Sequence, residues 1–153
     1  MAVRPLVYHP DARLSLVSAP VVSFDTALAR VVDDLFETMY AAKGRGLAAV
    51  QIGVHARLFV LDMGWKDGAP TPQVFVNPVY VSMSAETAAF EEACLSIPGL
   101  PRRLTRPAQI RLSWQGADGA AHESAFSGAE AVGIQHEIDH LEGRLILDHP
   151  EAP

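Results

Sequence analysis

Cysteine is nearly absent from this chain, with one in 153 residues, which excludes an internal disulfide framework. Basic residues are also few. Twelve Lys and Arg stand against eighteen Asp and Glu, for a net charge of −6. No basic footprint for nucleic acid exists, and an anionic membrane surface would repel the chain. Long hydrophobic runs are missing as well, so no segment of roughly 18 apolar residues is available to span a bilayer. The opening, MAVRPLVYHPDARL, carries no apolar core of signal-peptide length before its first Asp. These absences together predict a cytoplasmic protein with a reduced thiol, and no nucleic-acid or membrane partner. The lone Cys94 is then core filler, a nucleophile or a metal ligand.

Hydrophobic residues make up 49% and charged residues 20%, ordinary values for a globular protein. The length predicts one domain over 1–153, large enough to bury a core unaided. Between Asp25 and Lys43 the apolar residues Leu28, Val31, Val32, Leu35, Phe36 and Met39 recur at helical spacing, with Gly44 as the stop. Strands are expected over Arg57 to Met63, Gln73 to Met83 (interrupted at Asn77-Pro78), Gln109 to Gln115 and His122 to Phe126. Gly64 to Pro72 reads as a soft connection. A second helix is expected from Gly128 to Leu141, with Ser127 and Glu130 as a capping box and Gly143 as its stop. Ile134, Ile138 and Leu141 lie on one side of it and His136 and His140 nearly opposite, so both faces demand burial. The class expected is α+β, with antiparallel strands packed around a central metal-binding helix.

The strongest chemical signal is His136-Glu137-Ile138-Asp139-His140. Histidines four apart share one helix face and can reach one metal, and the intervening Glu can serve a bound water as general base. A catalytic site of this type needs a third protein ligand and an open fourth position. Glu142 lies too close to His140 on the helix. His149 is available near a Pro-containing tail, and Cys94 lies upstream. A lone Cys more often packs inertly, but the missing ligand reverses that preference. A third segment, Gly44 to Gly53, contains small residues that allow close backbone approach and Gln51, whose amide could donate to an oxyanion. A helix cap and tight turn explain its glycines equally well.

Together these segments resemble the peptide deformylase family, which shows Gly-x-Gly-Leu-Ala-Ala-x-Gln, then Glu-Gly-Cys-Leu-Ser, then Gln-His-Glu-x-Asp-His-Leu. The chain has all three in that order, and the likeness extends from His9-Pro10-Asp11 to Arg106 and the strand after it. The resemblance implies that Cys94, His136 and His140 hold one divalent metal per chain. Fe(2+) is the first expectation, with Zn(2+), Ni(2+) or Co(2+) as substitutes. It implies Glu137 as acid and base, with Gln51 and the Leu95 N–H stabilising the oxyanion. It further implies that the Gly46 backbone pairs with an extended N-formylated peptide, while Phe90, Val132 and Gly133 line a side-chain pocket with Arg45 at its rim. The implied reaction removes formate from the N-formyl-methionine of nascent polypeptides.

Four departures bear on recognition. Ala93 stands for a usual Gly, Arg45 for an aliphatic residue and Val50 for a Pro. The fourth is that residues 1–153 hold no basic C-terminal helix like the one bacterial members use to dock on ribosomes, so ribosome docking by that route is not expected. Two further readings stand beside the first. One is an amidohydrolase with another N-acyl substrate, favoured by the charge of Arg45. The other is a non-catalytic metal-binding paralogue, against which the intact Glu137 and Gln51 argue. Asp139 and a Glu92–Arg106 pair are candidates for supporting the ligands, or simply surface charges.

Overall fold

Asp25 accepts a hydrogen bond from the Leu28 N–H at 3.0 Å, and helix α1 begins behind that cap, spanning Thr26–Ala41. It ends earlier than the expected Lys43, because Lys43 itself adopts the left-handed conformation (φ 59°) that closes the helix one residue before the expected stop at Gly44. In this computed structural model, which describes residues 2–153, seven strands follow. They are β1 (Gly46–Ala48), β2 (Leu58–Leu61), β3 (Gln73–Met83), β4 (Thr87–Cys94), β5 (Ile97–Pro107), β6 (Gln109–Gln115) and β7 (Ala121–Ser127). Helix α2 covers Gly128–Leu141, as the sequence predicts. The α+β class and the antiparallel strands around a central helix are therefore present.

An antiparallel sheet is ordered β1-β2-β3-β6-β7, and β4 and β5 form a separate two-stranded ribbon. The expected interruption at Asn77-Pro78 is real. Asn77 has φ 50°, and the β3–β6 register slips between Val76 and Val79. The β4–β5 ribbon was not foreseen. Thr-Ala-Ala-Phe-Glu-Glu-Ala-Cys lacks β-branched alternation, and β5 contains three prolines. Pairing and burial against α2, rather than local propensity, make these residues strands.

Both faces of α2 are covered, which explains its unusual sequence. Ala131, Ile134, Ile138 and Leu141 pack with Phe59, Phe75, Leu112 and Phe126 of the sheet. Its other face meets the ribbon, and His136, Glu137 and His140 are buried there. A second cluster joins α1 (Leu28, Val32, Leu35, Met39) to Leu47, Leu58, Val60 and Val76. A third gathers Cys94, Ile97 and Leu104 with Val7, Leu14, Leu145 and Ile146, so both ends of the chain clamp the ribbon.

Two local expectations need correction. Ser127 is the N-cap of α2 but makes no side-chain cap bond, and Glu130 instead accepts from Gln73 Nε2 at 2.9 Å. Tertiary contact with β3 draws it away from the cap. The Gly64–Pro72 connection is also tightly held. Buried Asp62 accepts from the Tyr40 hydroxyl at 2.6 Å and the Thr71 N–H at 2.8 Å, and Trp65 Nε1 donates to the Gly44 carbonyl at 2.8 Å. Burial and the Asp62 carboxylate push the Tyr40 hydroxyl up to about 12, so it remains a donor throughout the physiological range.

Phe75 stacks on Phe59 at 4.8 Å between ring centroids and also touches Trp114 and Phe126. Replacing it with Ala removes a fully buried ring from this junction and costs about 3–5 kcal/mol in urea unfolding. A loss below about 1 kcal/mol would contradict the packing described.

Candidate active site

The site lies between α2, the β4–β5 turn and the open edge of β1. The register pairs Cys94 with Ile97, leaving Leu95 and Ser96 as a tight turn that pushes the thiol toward α2. His136 and His140 come from adjacent turns of the helix. The ligand atoms of Cys94, His136 and His140 all lie within 4.8 Å of one another, and all three residues are buried. Cys94 Sγ is 3.4 Å from His140 Nε2. The structure thus brings together the three residues expected to be metal ligands. His149, the alternative, is directed elsewhere, with its Nε2 2.7 Å from Asp139 Oδ2.

A chain of charged hydrogen bonds holds His136. Its Nδ1 lies 3.0 Å from Glu92 Oε1, and because a carboxylate only accepts, Nδ1 carries the proton and Nε2 faces the thiol. Arg106 donates to Glu92 from Nε at 2.6 Å and from Nη2 at 2.9 Å, and from Nη1 to Asp139 at 3.0 Å. Glu92 and Arg106 are each 5% exposed, so this pair is interior structure, not surface charge. Burial pushes the Glu92 carboxyl up, but the bonds from His136 and Arg106 outweigh it and hold the group below its ordinary value. Burial would likewise push His136 down. Glu137, Cys94 and Glu92 outweigh it and raise His136 well above its usual value. His140, buried beside this positive charge, is pushed down.

A buried thiol with two imidazoles is a donor set for a borderline divalent metal, and the imidazole faced by Glu92 is already oriented for it. The residues present fit such an ion. Glu137 Oε2 lies 3.9 Å from His136 Nε2, and Oε1 is buried with no hydrogen-bond partner among the described residues. Burial is the largest influence on this carboxyl and raises it to about 7. It is therefore a group able to take and return a proton near neutrality.

Gln51 is 1% exposed and locked. Its Oε1 accepts from the Ala48 N–H at 2.9 Å, while its amide nitrogen donates to Ser96 Oγ at 3.0 Å and approaches Cys94 Sγ at 3.7 Å. Ser96, fully buried, was missed by sequence reasoning, although it stands two residues beyond the singled-out Cys94.

The N–H of Asp62 donates to the Arg45 carbonyl at 2.7 Å, and Leu47 pairs with Val60. Ladder bonds in an antiparallel pair fall on alternate residues, so Gly46 between them turns its N–H and C=O to the free edge of β1. A Cβ at Gly46 would come within 2.7 Å of Glu137 Oε2, which is why glycine is required. A cleft of ≈ 590 Å³ opens here. Gly46, Gln51, Phe90, Leu95, Val132, Gly133, Arg45 and Glu137 all line it, so every expected substrate-side residue borders the same space as Cys94 and His136. Ala93 has no left-handed backbone, so its methyl is tolerated without strain, and Val50 is an ordinary core residue.

The fold and this site define a metal-dependent hydrolase with one Cys and two His converging. The family model described as Polypeptide deformylase matches residues 3–152, and the chain belongs to that family. It is similar to the peptide deformylase of Novosphingobium aromaticivorans, 43% identical over 97% of this chain and 89% of the relative. The crystal structure of the Thermotoga maritima peptide deformylase superposes with TM-score 0.94 at 34% identity, covering all of both chains. That of the Ehrlichia chaffeensis enzyme in complex with actinonin gives TM-score 0.93 at 38% identity, over 99% of this chain and 90% of the other.

Binding a metal must displace the proton that His136 retains. Affinity should therefore weaken as pH falls, by about one log unit of Kd per pH unit between about pH 6 and pH 8, measured by competitive chelator titration. A flat profile would contradict the assignment of His136.

Proposed function

We propose that this chain, acting over 1–153 as one catalytic domain, hydrolyses the formyl group from N-formyl-methionyl peptides in the cytoplasm. The observation that carries the reading is the convergence of Cys94, His136 and His140 beside a buried, unpartnered Glu137 and the locked amide of Gln51. Fe(2+) is our first assignment, with Zn(2+), Ni(2+) or Co(2+) able to replace it. When bound, the ion supplies Lewis acidity and lowers the pKa of water toward neutrality.

The chain's own residues do the rest. Glu137 takes the proton of the attacking water, which its buried carboxyl near pKa 7 suits it to do. The Gln51 amide and the Leu95 N–H are assigned to the formyl oxygen, where negative charge develops. Glu137 then returns the proton to the departing amine, so that formate and a free methionine N-terminus result. The outward N–H and C=O of Gly46 pair with the peptide as an added strand. Phe90, Val132 and Gly133 receive the methionine side chain, with Arg45 beside it.

The test is formate release from formyl-Met-Ala-Ser by metal-loaded protein. Glu137→Ala should lose about 10²–10⁴ of kcat while retaining one metal per chain, and Gln51→Ala should lose about 10²–10³. Wild-type turnover that persists in Glu137→Ala would overturn the mechanism. A metal-loaded wild type without turnover would favour another N-acyl substrate or a non-catalytic role.

A further inference from the structure

Resting on the deformylase reading, we infer that this cleft selects formyl-peptides bearing a carboxylate side chain one or two residues after the methionine. Lys43, Arg45 and Lys66 all line the cleft, and all are exposed. Among the described residues none of the three has an ion-pair partner, although the chain as a whole is acidic at −6. The carboxylates lining the same cleft are Glu91, Glu92 and Glu137. Glu92 is neutralised by Arg106, and Glu137 is buried at the floor. Glu91 alone remains at the mouth, and it stands opposite Arg103 in the ribbon. The surplus charge there is positive.

Three contacts hold this charge where a substrate would leave the site. Lys43 and Arg45 flank Gly44, whose carbonyl accepts from Trp65 Nε1 at 2.8 Å. Lys66 follows Trp65 directly, and its ammonium lies 5.7 Å from that ring. Asp62 anchors the segment from below, through its N–H to the Arg45 carbonyl and its carboxylate to Tyr40 and Thr71. The loop carrying Lys66 is thereby fixed to the segment that leads into β1 and carries Arg45.

Chain direction places the peptide against them. β1 runs from Gly46 toward Gln51, and Gln51 lies beside Cys94. A formyl group held there starts at the far end of β1, so a peptide pairing with Gly46 runs antiparallel to it. Its downstream residues then pass Gly46, Arg45 and Lys43 in turn. Side chains alternate in an extended peptide. With the methionine directed into the Phe90–Val132 pocket, the following residues meet the cationic rim. Exposed charge pairs are individually weak, and two or three acting together give a preference of about tenfold that salt screens.

The experiment compares kcat/KM for formyl-Met-Glu-Ser, formyl-Met-Ala-Ser and formyl-Met-Lys-Ser, with metal-loaded wild type, Arg45→Gln and Arg45→Gln/Lys66→Gln. The inference expects a Glu-over-Lys ratio of about tenfold at low salt, about threefold in Arg45→Gln, and close to unity in the double variant and in about 0.5 M salt. Because each ratio is internal to one protein, loss of folded enzyme does not mimic it. A wild-type ratio near unity, or one unchanged by both substitutions, overturns the inference while turnover of the Ala peptide leaves the deformylase reading standing. Absence of turnover on all three peptides overturns both.

Discussion

The structure depends on one buried ion pair. Arg106 grips both oxygens of Glu92, and Glu92 accepts the Nδ1 proton of His136. Two charges removed from water are tolerated only when their hydrogen bonds are completed, and here they are completed across three elements. Glu92 lies on β4, Arg106 on β5 and His136 on α2. Asp139 extends the same chain to His149 in the tail. The pair therefore ties the ribbon to the helix, and in doing so it turns the imidazole so that Nε2 faces the thiol. Folding and site geometry share one set of bonds.

The second constraint is crowding around Glu137. Gly46 has no room for a methyl because Glu137 Oε2 would meet it, and Gly44 has none because the Leu95 side chain packs there. The edge of β1, the turn after Cys94 and the acid–base candidate thus press on one another. Burial in that crowded corner raises the Glu137 carboxyl to about 7. The same close approach leaves the outward face of Gly46 free for an extended peptide.

Much of the candidate site was legible because its parts are local. Two His at a spacing of four define one helix face whatever surrounds them, and the neighbouring Glu follows from that. The alternation in Gln109–Gln115 and the apolar stripe in α1 were equally plain. The ribbon was not, since prolines and arginines dominate β5 and nothing local marks it as a strand. The Ser127–Glu130 pattern misled for a related reason: a contact with Gln73, distant in sequence, outcompeted the cap.

By itself the sequence determined the helix periods, the His-Glu-x-x-His face and the family likeness, because each is written in residue spacing within a few turns of chain. Tertiary structure showed where the candidates lie: the Cys94 thiol sits beside His136 and His140, while His149 turns to Asp139. It also decided that Glu92 and Arg106 are interior, and that Lys43, Arg45 and Lys66 share one wall. Those outcomes depend on which distant segments meet, and residue spacing carries no record of the strand pairing and burial that bring them together.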